Sequence, residues 1–231
     1  MIHRKTIICI LLFILVPQIS TAEYNYKISK ITNDIKQRMI KGHSWKKNCP
    51  VGLNDLRYLQ IVYIDFKGET KTGEMIVHKS VAQDVTQIFE TLYAWKYPIK
   101  KMNLISDYMG SDFQSIEADN TSAFNCRHLT GNKKKWSNHA YGKAIDINPI
   151  ENPYVSRKGT SIHKASLKFV PPFRKHKNIS IPSDHAMLLK GDPVVKLFKD
   201  FGWRWGGDWK PIKDFQHFDK NNKPNQSISN P

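Results

Sequence analysis

Hydrophobic residues along this chain follow two different periods, and the changes of period mark its elements. Residues 58–66 read Tyr-Leu-Gln-Ile-Val-Tyr-Ile-Asp-Phe, a run rich in β-branched and aromatic side chains. A polar stretch with Gly68 and Gly73 follows, and residues 74–78, Glu-Met-Ile-Val-His, resume the same character. That pattern predicts a β-hairpin over 57–79. Then the period lengthens: Val81, Val85, Ile88, Phe89 and Leu92 recur at helical spacing until Pro98, behind a Ser80/Gln83 pair that resembles a capping box. A core-facing helix should therefore follow the hairpin. A second helix is predicted from Asp192-Pro193, a cap and a first-turn proline, through the apolar stripe Val194, Leu197, Phe198 and Phe201 to a stop at Gly202. Between these elements, residues 157–190 are rich in Lys, Arg, His, Ser and Pro with little periodicity, and read as a long surface loop over a functional cleft.

The N-terminus departs from both periods. A basic start (Arg4, Lys5), an apolar run over 6–16 and the small residues Ser20-Thr21-Ala22 form the three parts of a secretory signal peptide, residues 1–22. The apolar run is about half the roughly 20 residues of a spanning helix and is followed by Pro17, so no permanent membrane anchor is expected. Cys9 lies inside that run rather than just after a cleavage site, which argues against a lipoprotein. The remainder reads as a single domain over 23–220 with a flexible tail at 221–231, and a secreted, periplasmic or extracellular monomer is expected. It keeps two cysteines, Cys49 and Cys126; in an exported chain such a pair suggests one disulfide closing a long loop, and neither has the surroundings of a catalytic thiol.

Charge adds a constraint on partners. The formal net charge is +16, and removal of a segment holding Arg4 and Lys5 and no acidic residue leaves +14. So large a surplus favours polyanionic surroundings: nucleic acid, anionic lipid headgroups or the anionic polymers of a bacterial envelope. Charge alone does not choose among them, and the run Lys133-Lys134-Lys135 by itself reads as a solvated face.

Two segments concentrate imidazole and carboxylate. One is Ser137-Asn-His139-Ala-Tyr-Gly142-Lys-Ala-Ile-Asp146; the other is Trp203-Arg-Trp-Gly-Gly-Asp-Trp209 leading to Asp214-Phe-Gln-His217-Phe218. His139 and Asp146 are seven apart, so a continuous strand would send them to opposite faces, and a bend at Gly142 is needed to bring them together. Two neutral imidazoles and one carboxylate, with a fourth position open to water, make a catalytic zinc centre. Asp214, three residues before His217, would then be a second carboxylate free to act as general base. The spacing alone is a weak signal, since a histidine is more often a satisfied structural group than a ligand.

The whole string is more specific. Ser-x-His-x-x-Gly-x-Ala-x-Asp, then Trp-Gly-Gly-Asp-Trp and Asp-x-x-His-Phe, resembles the zinc D-alanyl-D-alanine carboxypeptidases, a family that includes L-alanyl-D-glutamate endopeptidases. The resemblance runs over 120–218. It implies one zinc ion per chain on His139, Asp146 and His217, with Asp214 as the base where some members carry the longer Glu. It also implies that Arg127, upstream of the first ligand, binds the scissile carbonyl oxygen or a substrate carboxylate, and that Ser137 hydrogen-bonds near the site. Tyr154 is a candidate cleft-lining residue. His78, His128, His163, His176 and His185 stand in polar contexts and read as solvated, while Trp203, Trp205 and Trp209 read as core and cleft wall.

The expected fold is α+β: a small antiparallel sheet carrying the zinc site, helices packed on one face, and residues 157–190 across the opening, the DD-peptidase/hedgehog-like arrangement that the resemblance implies. The expected activity is that of a hydrolase, a secreted metallopeptidase cutting peptidoglycan stem peptides, with anionic cell-envelope polymers as further partners and no specific nucleic acid. Two other classes compete. One is a noncatalytic zinc-containing cell-wall-binding module; the other is a basic secreted protein that binds nucleic acid or anionic membrane in a salt-sensitive, zinc-independent way.

Overall fold

The structure, a computed structural model, describes residues 24–220; the expected signal peptide 1–22, with Cys9, and the tail 221–231 lie outside the described residues. The chain opens with β1 (Tyr26–Lys30) and α1 (Asn33–Lys41), followed by the hairpin β2 (Leu56–Ile64) and β3 (Thr70–His78) and by α2 (Ala82–Ala94). Short elements come next: β4 (Lys101–Met102), α3 (Asp112–Glu117), β5 (Asn120–Thr121), β6 (His128–Leu129), β7 (Asn132–Trp136), β8 (Ala144–Asp146) and β9 (Tyr154–Val155). The C-terminal part holds α4 (Pro182–His185), α5 (Pro193–Asp200), β10 (Arg204–Trp205), β11 (Lys213–Asp214) and β12 (His217–Asp219). The architecture is α+β, with small sheets whose strands pair antiparallel apart from β4 with β5.

The predicted hairpin forms, with Leu56 opposite His78 and Ile64 opposite Thr70. Its turn is held by the Asp65 carboxylate, which accepts from the Lys67 and Glu69 amides at 2.8 and 2.9 Å. Leu59, Ile61 and Tyr63 point to one face of β2 and into the main core, while Leu56, three residues before Leu59, is buried on the other face in a second cluster with Met39 and Phe124; β1 adds a third strand on the free edge of β2. The helix after the hairpin also forms, burying Val85, Ile88, Phe89 and Leu92. Its capping box does not. The helix starts one residue later than that motif requires, its cap is Val81, whose side chain has no acceptor, and the Ser80 hydroxyl instead meets His78 Nδ1 at 2.8 Å. At α5 the expected cap holds, Asp192 accepting from the Val194 amide at 2.9 Å, and Gly202 closes the helix at φ +80°.

Hairpin, helices and the C-terminal sheet share one core. Leu59 and Ile61 of β2, Val85 and Phe89 of α2, and Phe198 of α5 pack in the same buried cluster as Ile145 of β8, Trp205 of β10 and Phe218 of β12. Cys49 and Cys126 form a disulfide with a Cα–Cα distance of 5.8 Å across a separation of 77 residues.

Residues 157–190 differ from the expected surface loop. They include a 3-10 turn, Lys164–Phe169, and α4, and they bury Phe169, Val170, Ala186, Met187 and Leu188. The anchor is Arg174, 8% exposed, which donates to the carbonyls of Glu151 and Leu188 and to Asn152 Oδ1 and lies 4.2 Å over the Phe215 ring. One buried guanidinium replaces the apolar stripe that periodicity would have revealed. His163 is likewise not solvated: it is 5% exposed, with Nδ1 2.5 Å from Glu117 Oε1.

Candidate metal centre

The two motif segments meet on the three-stranded sheet ordered β10-β12-β8. Ser137 caps a 3-10 turn, Asn138–Tyr141, its hydroxyl accepting from the His139 amide at 3.3 Å. The chain then reverses at Gly142, with φ +65°. A Cβ there would stand 2.6 Å from the His78 amide nitrogen, which already donates to the Gly142 carbonyl at 2.8 Å, so both the backbone conformation and the close approach require glycine. The bend delivers β8 with Asp146 at its end. β12 runs antiparallel beside it with His217 directly opposite Asp146, a register that puts both side chains on one face.

The resulting geometry is tight. His139 Nε2 lies 3.2 Å from Asp146 Oδ2, His217 Nδ1 lies 2.9 Å from Asp146 Oδ1, and the two ring nitrogens are 3.2 Å apart. One ligand atom from each residue falls within 4.8 Å of the others, so this group could hold a metal ion. The outward nitrogens fit that role. His139 Nδ1 is 2.5 Å from the Ala123 carbonyl; a carbonyl only accepts, so Nδ1 carries the proton and the Nε2 lone pair faces the group. His217 presents Nε2 to Asp219 Oδ2 at 3.6 Å. Two imidazoles and a carboxylate, 4%, 7% and partly exposed, suit a borderline-soft divalent ion.

Electrostatics tie the three together. Burial alone would raise the Asp146 carboxyl and lower the His217 imidazole, yet each is overruled by its neighbours. His139 and His217 hold Asp146 well below the usual carboxylate range. The hydrogen bond to Asp146 and the nearby carboxylate of Asp219, with the charge of Asp214, push His217 up to about 10. Asp214 sits on β11, opposite Tyr154 of β9. Burial raises its carboxyl to about 7 and Asp146 adds to the rise, against His217, His139 and Arg127. Its Oδ1 is buried with no hydrogen-bond partner among the described residues, a group left open for something outside the chain.

The Trp-Gly-Gly motif explains how Asp214 is placed. A Cβ on Gly206 would stand 2.4 Å from the Asp214 carbonyl oxygen, and Trp205 Nε1 donates to the Phe215 carbonyl at 2.8 Å. Trp203 and Trp205 are core, while Trp209 lies with its ring centroid 5.2 Å from that of His217. Arg127 is ion-paired with Asp112, donates to the His128 carbonyl at 3.2 Å, and is close enough to lower Asp214. Tyr154, 42% exposed, stands beside Asp214 at the rim. Ser137 acts here on the backbone, as the cap of the turn that carries His139.

Sequence reasoning missed four residues around this group: Asp219, Asn138, Arg204 and Ala123. Asp219 is buried behind His217, and Asn138 and Arg204 both bond to it. Asp219 had a signal, since two residues beyond His217 in a strand is the same face; the Ala123 carbonyl had none. Of the other histidines, His128 stacks on Trp136 at 4.0 Å and His185 meets Tyr97 edge-on. No helix among the described residues is long and apolar enough to cross a membrane. No curated protein and no solved structure matches the chain. Residues 130–220, which include His139, Asp146, Asp214 and His217 but not Arg127, match the family model described as D-alanyl-D-alanine carboxypeptidase, so the part of the chain that builds this centre carries that family's pattern.

Proposed function

We propose that the protein is a secreted zinc peptidase that hydrolyses peptide bonds in peptidoglycan stem peptides, with the D-alanyl-D-alanine bond favoured by the family description and the L-alanyl-D-glutamate bond as the other candidate. One observation carries the reading: His139 Nε2, His217 Nδ1 and the Asp146 carboxylate converge within 4.8 Å near a second carboxylate, Asp214, whose Oδ1 is buried and unpartnered among the described residues. A purely structural metal site has no use for that second group.

His139, Asp146 and His217 would hold the ion. A zinc ion so bound lowers the pKa of a coordinated water to about 7 and polarises a carbonyl oxygen. Asp214, raised toward neutrality by burial, is suited to take a proton from the attacking water and return it to the leaving amine. The Arg127 guanidinium, held by Asp112, offers a fixed positive charge and two parallel donors to a developing oxyanion or a terminal carboxylate. Tyr154 and Trp209 would flank the substrate. The net charge, +14 once residues 1–22 are removed, suits an anionic wall.

The test is zinc content together with products released from purified peptidoglycan. The wild type should bind one zinc ion and cleave, His139→Ala should lose the metal, and Asp214→Asn should keep the metal while turnover falls about 10²–10⁴-fold. Mass spectrometry of the products names the bond. Stoichiometric zinc without cleavage would instead support a noncatalytic wall-binding module.

A further inference from the structure

The carboxylate of Asp219 is only 3% exposed. Burying an ionised carboxylate is costly unless several donors compensate it, and Asp219 has donors from two elements besides its own strand. Arg204 of β10 binds it through Nε at 2.8 Å and Nη2 at 2.7 Å, and Asn138 of the His139 turn donates Nδ2 at 2.5 Å. His217 Nε2 stands 3.6 Å from the same oxygen that Asn138 uses, a charge contact slightly longer than a hydrogen bond.

Pairing with Arg204 does not account for this arrangement. The Arg204 side chain is 49% exposed, so the same pair could form with the carboxylate at the surface, where neither charge would be desolvated. The carboxylate is instead drawn inward, to the one place where it touches the residue before one imidazole and the far edge of the other. A neutral imidazole has a single N–H. With that N–H on Nε2 toward Asp219, the Nδ1 lone pair of His217 faces Asp146 and His139, where a ligand atom is needed. A carboxylate behind a ligating histidine fixes its ring and raises its basicity.

We propose that Asp219 is a positioning residue for the metal centre: it orients His217 through Nε2 and, through Asn138, ties the His139 turn to the same strand. The proposal rests on the metal-centre reading above, and Asp219 itself touches neither the ion nor the substrate.

Zinc affinity, measured by competition with a chromophoric chelator, tests it on four proteins: wild type, Asp219→Asn, Arg204→Gln and His139→Ala. Asp219→Asn is nearly isosteric and should bind zinc about 10–100-fold more weakly. Arg204→Gln breaks the same ion pair but leaves the carboxylate behind His217, and should stay within about threefold of wild type. Equal losses in these two variants would make Asp219 a mere partner of Arg204 and overturn the proposal. Wild-type affinity in Asp219→Asn, with zinc lost in His139→Ala, would overturn it while leaving the metal centre standing; no zinc on the wild type would overturn both. A measurement without variants guards against misfolding: ¹⁵N spectra of the zinc-loaded wild type should show His217 protonated on Nε2 and metal-bound through Nδ1. The reverse pattern refutes the proposal.

Discussion

Metal and proton compete for the same lone pair at His217. In the metal-free protein, burial opposes the imidazolium, but Asp146 at 2.9 Å, Asp219 at 3.6 Å and the charge of Asp214 outweigh it and hold the ring protonated up to about pH 10. A metal ion needs that nitrogen bare. At pH 7 the proton sits about three pH units below its release, so displacing it costs about 4 kcal/mol at 1.36 kcal/mol per unit. Because the raised pKa favours the protonated, metal-free form, zinc affinity should climb as pH rises, by about tenfold per unit between roughly pH 6.5 and 8.5, and level off above about pH 10. Chelator competition across that range, corrected for the chelator's own protonation, measures the slope. Calorimetry in buffers of different ionisation heat should count about one proton released per zinc. An affinity that stays flat over those two units, with no proton release, would refute the reasoning. The same proton also stabilises the metal-free fold: a raised histidine pKa contributes stability that is fully present below about pH 6.5 and lost as pH rises through about 10, so metal removal should destabilise most in the alkaline range.

Three further outcomes follow from the packing. Replacing Cys49 and Cys126 together by serine frees a loop spanning 77 residues, which chain-entropy arithmetic puts at about 4–5 kcal/mol, read from urea unfolding with and without reductant. Asp192→Ala removes the α5 cap and strands Lys177, its ion-pair partner, and should cost about 2 kcal/mol in the same assay. Gly142→Ala forces a left-handed residue, about 1–2 kcal/mol, and drives a Cβ onto the His78 backbone, so thermal stability and zinc affinity should fall together; Gly131→Ala, at φ +77° with open space around it, should lose only the conformational part and keep its zinc affinity.

The elements with a sustained period were legible. Val85, Ile88, Phe89 and Leu92 announce α2, and the alternation through Leu59, Ile61 and Tyr63 announces β2, because burial along a regular element repeats. What failed to show is whatever is held by particular polar contacts rather than by a repeated pattern. Arg174 secures residues 157–190 through carbonyl acceptors, which carry no sequence signature, and His163 is held between the Glu117 carboxylate, 46 residues away, and the Phe113 ring. The Ser80/Gln83 pair matched a cap pattern, yet a neighbouring imidazole took the hydroxyl. At the centre, the bend at Gly142 was legible from the parity of a seven-residue spacing. The direct facing of His217 and Asp146 was not, since register between strands 71 residues apart depends on everything between them.

That register also shows why the aromatic motif accompanies the ligand motif. The sheet β10-β12-β8 consists of strands two or three residues long, too short to be rigid by their own ladders. Phe218, between His217 and Asp219, is fully buried and stacks on Phe198 of α5 at 3.9 Å, while Trp203 meets Phe198 edge-on. Trp205 is opposite Phe218 in the ladder and holds the Phe215 carbonyl. Side chains alternate along β12, so each residue that faces the metal group is locked by one that faces the core. A centre whose atoms must agree within tenths of an ångström is thus built on a minimal sheet because the aromatics behind it supply the stiffness that hydrogen bonds cannot.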